Sequence, residues 1–184
     1  MLRRRFAHRP RQVPGWLVIV LLLAAVSAVS GIPYLVVQQG TEPFGGPGVM
    51  LGLPPGTTIQ SLQKAEVVEV IDGDTIDVRI GRTLVRVRYF GVDTPERGDE
   101  CFVQARERNR VLVGGSVRLL PDARDIDSFG RSLRYIFLES GVSVEATLVA
   151  DGYGLAWREG GRYRDQIVML EEEAKAARRG CLWE

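Results

Sequence analysis

The sequence predicts a domain of the α+β class, a small five-stranded Greek-key β-barrel with about three helices packed around it, preceded by an N-terminal apolar helix. Three observations carry that expectation. Period-two alternation clusters between Lys64 and Val92, helix-patterned segments that stop at glycine separate and follow the strands, and 21 glycines among 184 residues suit a turn-rich fold. At 45% hydrophobic and 26% charged, the chain can bury one core of catalytic-domain size.

The elements follow in order. "KAEVVEVIDG" and "TIDVRIG" alternate, and "RTLVRVRYFGV" alternates again, with Arg82, Arg86 and Arg88 interleaved with Leu84, Val85, Val87 and Tyr89. This predicts a three-stranded meander with Gly81 at a tight turn. "ECFVQARERNRVLVGG" has a helical pattern stopped by two glycines, and "SVRLLP" and "GRSLRYIFLES" are the remaining strands. "VSVEATLVADG" predicts a helix with Ser143 as N-cap and Gly152 as its stop, and "RYRDQIVMLEEEAKAARRG" an amphipathic closing helix ending at Gly180. Five strands interrupted by helices correspond to an OB-fold-like barrel.

The N-terminal third has a different character. Five arginines and no acidic residue lie in the first 37 positions, so the remainder carries 19 basic against 23 acidic residues, a net charge of −4. Residues 1–15 form a basic flank. Residues 16–37, "WLVIVLLLAAVSAVSGIPYLVV", are 22 uncharged residues, long enough for a membrane-spanning helix. The positive-inside rule puts the N-terminus in the cytoplasm and sends the rest across the membrane. The alternative is a secretory signal cleaved near Ala28-Val29-Ser30. Either reading exports the domain, as a single-pass protein of the cell membrane or as a secreted one. Residues 38–63 concentrate glycine and proline and read as a flexible tether, with the alternative that "VMLGLPP" packs on the domain. Residues 64–184 are the catalytic-size domain. Cys101 and Cys181 are the only cysteines, and in an exported domain an even pair suggests a disulfide, with two free thiols as the alternative.

The fragment "VIDGDTIDV" places Asp72 and Asp74 around one glycine inside a strand-like run. At i and i+2 of a strand they point to one face, where like charges are costly unless a cation is near. Ca²⁺ suits carboxylates together with a carbonyl and waters, and the alternative is a plain Asp-Gly turn. An EF-hand is excluded, because Thr83 stands at the twelfth position from Asp72 where a bidentate Glu belongs. A second cluster, "RYFGVDTPERGD", presents Arg88, Asp93, Thr94 and Glu96, with Pro95 breaking the ladder so that they lie at a rim. "DSFGR" adds Arg131 on a glycine-containing turn. Arginines that neutralise a phosphate, carboxylates for a cation and a glutamate that handles water describe metal-assisted phosphodiester hydrolysis. The only histidine, His8, precedes the domain, which excludes histidine acid–base catalysis and a Ser-His-Asp triad there.

With "VIDGDT", an arginine five residues before "DTPE", "DxxGR", "LVADGYGLAW" and a closing "GCLW" in this order, the chain resembles the staphylococcal nuclease (thermonuclease) family over about Lys64 to Glu184. The resemblance implies a calcium-dependent endonuclease acting on DNA and RNA, single strands preferred. It implies that Asp74, Asp93 and the backbone carbonyl of Thr94 hold Ca²⁺, with Asp72 acting through water. Glu96 would orient or deprotonate the attacking water, and Arg88 and Arg131 would clamp the phosphate. The chain departs from the family in having Phe129 where tyrosine is usual and Glu145 where asparagine is common. The loop after Trp157 is short, which leaves Arg158 or Tyr163 near the substrate. Trp157 and Trp183 are expected in the core, and the helical Arg106, Arg108 and Arg110 on a solvated surface. The other function class compatible with the barrel is a non-catalytic nucleic-acid- or protein-binding module tethered to the membrane. Such a module is free to lose Arg88, Asp74, Asp93, Glu96 or Arg131, and all five are present. No protein partner is evident, and a monomer is expected.

Overall fold

A computed structural model describes residues 48–184. The basic flank, the apolar span and the first part of the tether lie outside the described residues. Within them, no helix is long and apolar enough to cross a membrane.

The meander is β1 (Gln63–Val70), β2 (Thr75–Ile80) and β3 (Thr83–Tyr89). Their alternation turns Ile76, Val78 and Val87 inward to full burial. A two-residue turn at Gly81-Arg82 joins β2 to β3, with Ile80 opposite Thr83. A two-residue strand β4 (Val92–Asp93) follows, then helix α1 (Phe102–Val113), β5 (Ser116–Leu120) and β6 (Ser132–Phe137). The order β1-β2-β3-β6-β5 closes into a barrel, because β6 runs parallel to β3 and β5 returns to β1. Closure leaves no free edge in this sheet.

Helix α2 (Val144–Ala150) is buried at every position, the polar Glu145 and Thr147 included. Ser143 caps it by accepting from the Ala146 amide. Strand β7 (Leu155–Ala156), α3 (Arg164–Ala176) and the short α4 (Gly180–Trp183) complete the chain. The closing helix therefore ends at Ala176, and Gly180 begins a new turn. Gly180 is required there: a Cβ on it would lie 2.2 Å from the Asp151 carbonyl oxygen. Cys101, at the start of α1, is bonded to Cys181 in α4, with Cα atoms 5.6 Å apart.

Several buried groups depart from the expected pattern. Residues 49–62, in the second half of the expected tether, pack on the domain, which is the alternative stated for "VMLGLPP". Val49, Leu51, Leu53 and Ile59 rest on the core, and the Val49 amide donates to Thr147 Oγ1 at 2.9 Å. The cause is apolar spacing that a glycine- and proline-rich composition hides. Arg108 is buried and donates twice to Asp151 Oδ2, at 2.9 and 2.7 Å, so it does not belong to a solvated face.

Glu145 is fully buried, accepting from the Ile136 amide and, at 2.9 Å, from Ser143 Oγ. Burial pushes its carboxyl up to about 8, against the pull of those hydrogen bonds. A carboxyl whose folded pKa is raised stabilises the protein while protonated in both states, and that stability is lost as pH climbs from the unfolded value toward about 8. Glu145→Gln can still accept from the Ile136 amide, with its own amide donating to Ser143 Oγ instead of accepting from it, and it cannot ionise. In urea melts the variant is expected to gain on the wild type from about pH 5 upward, reaching a few kcal/mol by pH 9. Parallel pH profiles for the two proteins would show that Glu145 does not titrate in the fold.

Candidate active site

The aspartate-bearing part of "VIDGDTIDV" is a turn. Residues 71–74 connect β1 to β2: the Ile71 amide bonds the Thr75 carbonyl at 3.0 Å, and the Asp74 amide donates to Asp72 Oδ1 at 3.0 Å. Asp72 and Asp74 therefore do not share a strand face, because the backbone leaves the extended form between them. Asp72 shapes the turn, as aspartates do next to glycine. Asp74 is directed inward and is 4% exposed. Gly73 permits this, since a Cβ on it would stand 2.7 Å from the Thr94 side chain.

Asp74 Oδ2 accepts from the Thr94 amide at 2.7 Å and from Thr94 Oγ1 at 2.8 Å. These bonds fasten the start of the "DTPE" segment to the β1–β2 turn. Arg88 sits opposite Thr75 in the β2–β3 ladder, and its Nη1 lies 3.0 Å from Asp74 Oδ2. The same guanidinium donates to Asp93 Oδ1 at 2.7 Å and to the Val92 carbonyl at 2.7 Å. Asp93 is held by the β4–β7 pair, opposite Leu155, with its side chain half exposed. Pro95 then ends the pairing. A turn closed by Asp99, whose Oδ2 accepts the Glu96 amide at 3.1 Å, presents the exposed Glu96.

Arg131 arrives just before β6, the strand that pairs in parallel with β3. Asp127 Oδ2 accepts its Nε at 2.6 Å, while Asp127 Oδ1 accepts the amides of Phe129 and Arg131 at 2.9 Å each. The pairing holds the Asp127 carboxyl below its ordinary range despite desolvation. Arg88, Asp93, Glu96 and Arg131 all line one open cavity of about 260 Å³, together with Arg124, Phe129 and Trp157. Asp74 and Thr94 stand behind Arg88.

Two expected placements fail. Tyr163 is 4% exposed, stacks edge-on against Tyr135 and spends its hydroxyl on the Gly52 carbonyl at 2.8 Å, so it does not reach substrate. The aromatic packing of the core claims it. Trp157 borders the cavity rather than filling the core, because its amide bonds the Gly91 carbonyl at the end of the β4–β7 pair.

Burial pushes the Asp74 carboxyl up to about 7, against the pull of Arg88 and the Thr94 hydrogen bonds and with help from the Asp72 charge. One guanidinium divided between two carboxylates and two carbonyls leaves the ionised pair short of positive charge. The available donors are all oxygens, which suits a hard cation and excludes the nitrogen and sulfur sets of zinc sites. Among the described residues no three His, Cys, Asp or Glu cluster as a metal-binding group. Asp74 and Asp93 are instead bridged by the Arg88 guanidinium, at 3.0 and 2.7 Å.

The comparisons agree with this architecture. Residues 86–184 match the family model described as staphylococcal nuclease homologue. The chain is 36% identical over 131 residues to Protein ParB of Escherichia coli, covering 65% of this chain and 72% of that protein. It is 32% identical over 129 residues to micrococcal nuclease of Shigella flexneri, covering 65% and 73%. Endonuclease YncB of Bacillus subtilis is 34% identical over 136 residues, covering 68% and 64%. A match across more than half of the chain, joined to a closed five-stranded barrel with this cavity at its rim, shows that the chain belongs to the staphylococcal nuclease family.

Proposed function

We propose that the chain is a calcium-dependent nuclease that hydrolyses phosphodiester bonds of DNA and RNA, single strands preferred, outside the cytoplasmic membrane. The observation that carries the reading is the convergence of Arg88, Arg131, Glu96 and Asp93 on one cavity. Relatives named micrococcal nuclease and endonuclease support it.

Each side chain has work suited to its position. Arg131 is anchored through Nε alone, so its terminal nitrogens are available to phosphate oxygens as a preorganised charge. Arg88 adds a second positive centre, which neighbouring carbonyls and Asp93 hold rigidly. The exposed Glu96 carboxylate accepts no protein hydrogen bond among the described residues and stands ready to take a proton from water. Asp74 and Asp93 hold the cation, which when bound supplies positive charge against the phosphate oxygens. The net charge of −4 beyond residue 37 predicts weak long-range attraction to duplex, leaving affinity to these local charges.

Export rests on the basic flank and the 22-residue apolar span, and a disulfide-bonded Cys101–Cys181 pair suits an oxidising compartment. The full-length protein is expected to cleave single-stranded DNA in Ca²⁺ and to stop in excess chelator. Cleavage indifferent to chelator would overturn the calcium dependence, and binding without cleavage would favour the non-catalytic module.

A further inference from the structure

Phe129 is the most exposed large apolar side chain among the described residues, at 82%. Its exposure is built in. Asp127 accepts the Phe129 and Arg131 amides through Oδ1, and its carbonyl accepts the Gly130 amide at 3.2 Å, so the turn is tied down beneath the ring. The Arg131 guanidinium lies over the ring at 5.4 Å from its centroid. The ring is thus oriented by a phosphate-clamp candidate without being buried. It borders the same cavity as Glu96 and Arg88.

Arg124 is the second observation. It is exposed and, unlike Arg88 and Arg131, makes no hydrogen bond or ion pair among the described residues. It lines the site cavity and also the adjoining hollow formed by Phe90, Asp122, Gly160 and Gly161. An uncommitted guanidinium between two hollows complements a phosphate one step along a strand. An exposed ring with no polar handle offers only a flat apolar face, which every nucleobase matches and which tolerates any sequence.

We propose that Phe129 and Arg124 form a strand-gripping subsite in which Phe129 stacks on an unpaired nucleobase and Arg124 holds a phosphate flanking the scissile one. The subsite rests on the nuclease reading and gives it a source of single-strand selectivity. Bases in a duplex already stack on their neighbours within the helix, so the ring gains nothing from them.

The test uses the full-length protein with a single-stranded DNA oligonucleotide, the same strand made abasic, and a duplex. Cleavage kinetics are read in Ca²⁺, and equilibrium binding is read by oligonucleotide anisotropy in chelator. Phe129→Ala is expected to raise KM and weaken binding roughly 5- to 100-fold on the normal strand with kcat held. Phe129→Trp should restore both. The penalty should vanish on the abasic strand and be small on duplex. Arg124→Ala should weaken binding to normal and abasic strands alike and lower the slope of log K against log salt by about one. Wild-type KM and affinity in Phe129→Ala, or an equal loss on the abasic strand, would overturn the stacking role. In that event continued wild-type cleavage would leave the nuclease reading standing. Conversely, base-dependent binding without cleavage would sink the nuclease reading and support the subsite.

Discussion

Glu96→Gln is expected to lower kcat on single-stranded DNA by roughly 10²- to 10⁴-fold, the range for losing a positioned general base. The amide keeps the size of the side chain but cannot take a proton. The turn that presents it is held by backbone bonds to Asp99 and by the Thr94–Asp74 contacts, none of which uses the Glu96 carboxylate. Structure, strand affinity and calcium midpoint should therefore stay near wild type, and only the plateau rate should fall. A loss of strand binding in step with the rate would mean that Glu96 holds substrate rather than a proton.

Arg88→Ala is expected to cost roughly 10²- to 10³-fold or more in kcat/KM, the usual loss when a preorganised charge at a phosphate is removed. It should also do something a plain clamp residue would not. Arg88 is 9% exposed and is the counter-charge of the buried Asp74 and of Asp93. Removing one partner of a buried pair costs about 3–5 kcal/mol. The cost here should be smaller below pH 7 than above it, because Asp74, already pushed up to about 7, takes up a proton. With the guanidinium gone, the two carboxylates face a cation without competition. Ca²⁺ should consequently raise the Tm of Arg88→Ala more than that of wild type, while catalysis remains poor. Equal calcium shifts in both proteins would separate Arg88 from the cation site.

The barrel was legible because its parts are long enough to show a period. Strands β1, β2, β3, β5 and β6 alternate, α1 stops at Gly114 and α2 starts at Ser143, whereas α3 ends at Ala176, short of Gly180. The β4–β7 sheet was not legible, since two-residue strands have no period, yet it seats Asp93 and Trp157. The cluster of Arg88, Asp93, Glu96 and Arg131 could be read from residue types and order. The relation of Asp72 to Asp74 could not, because a strand and a turn share the letters "IDGDT" and only the Gly73–Thr94 approach separates them. Arg108 and Tyr163 depart from expectation for one reason: long-range partners, Asp151 and the Gly52 carbonyl, decide whether such side chains face water. The packing of residues 49–62 depends likewise on contacts with α2 and Val142 that lie some ninety residues away. Phe129 was visible as a departure from tyrosine, but only the turn beneath it shows that the ring stays in solvent.

If Asp74 and Asp93 hold a cation at which Glu96 and the arginines cut a phosphodiester, single-strand cleavage should depend on calcium when full-length wild type and Glu96→Gln are measured side by side. The expected result is a saturable curve that chelator abolishes, with the same midpoint in both proteins and a plateau lower by roughly 10² or more in the variant. A rate unmoved by chelator, or equal plateaus in the two proteins, would contradict it.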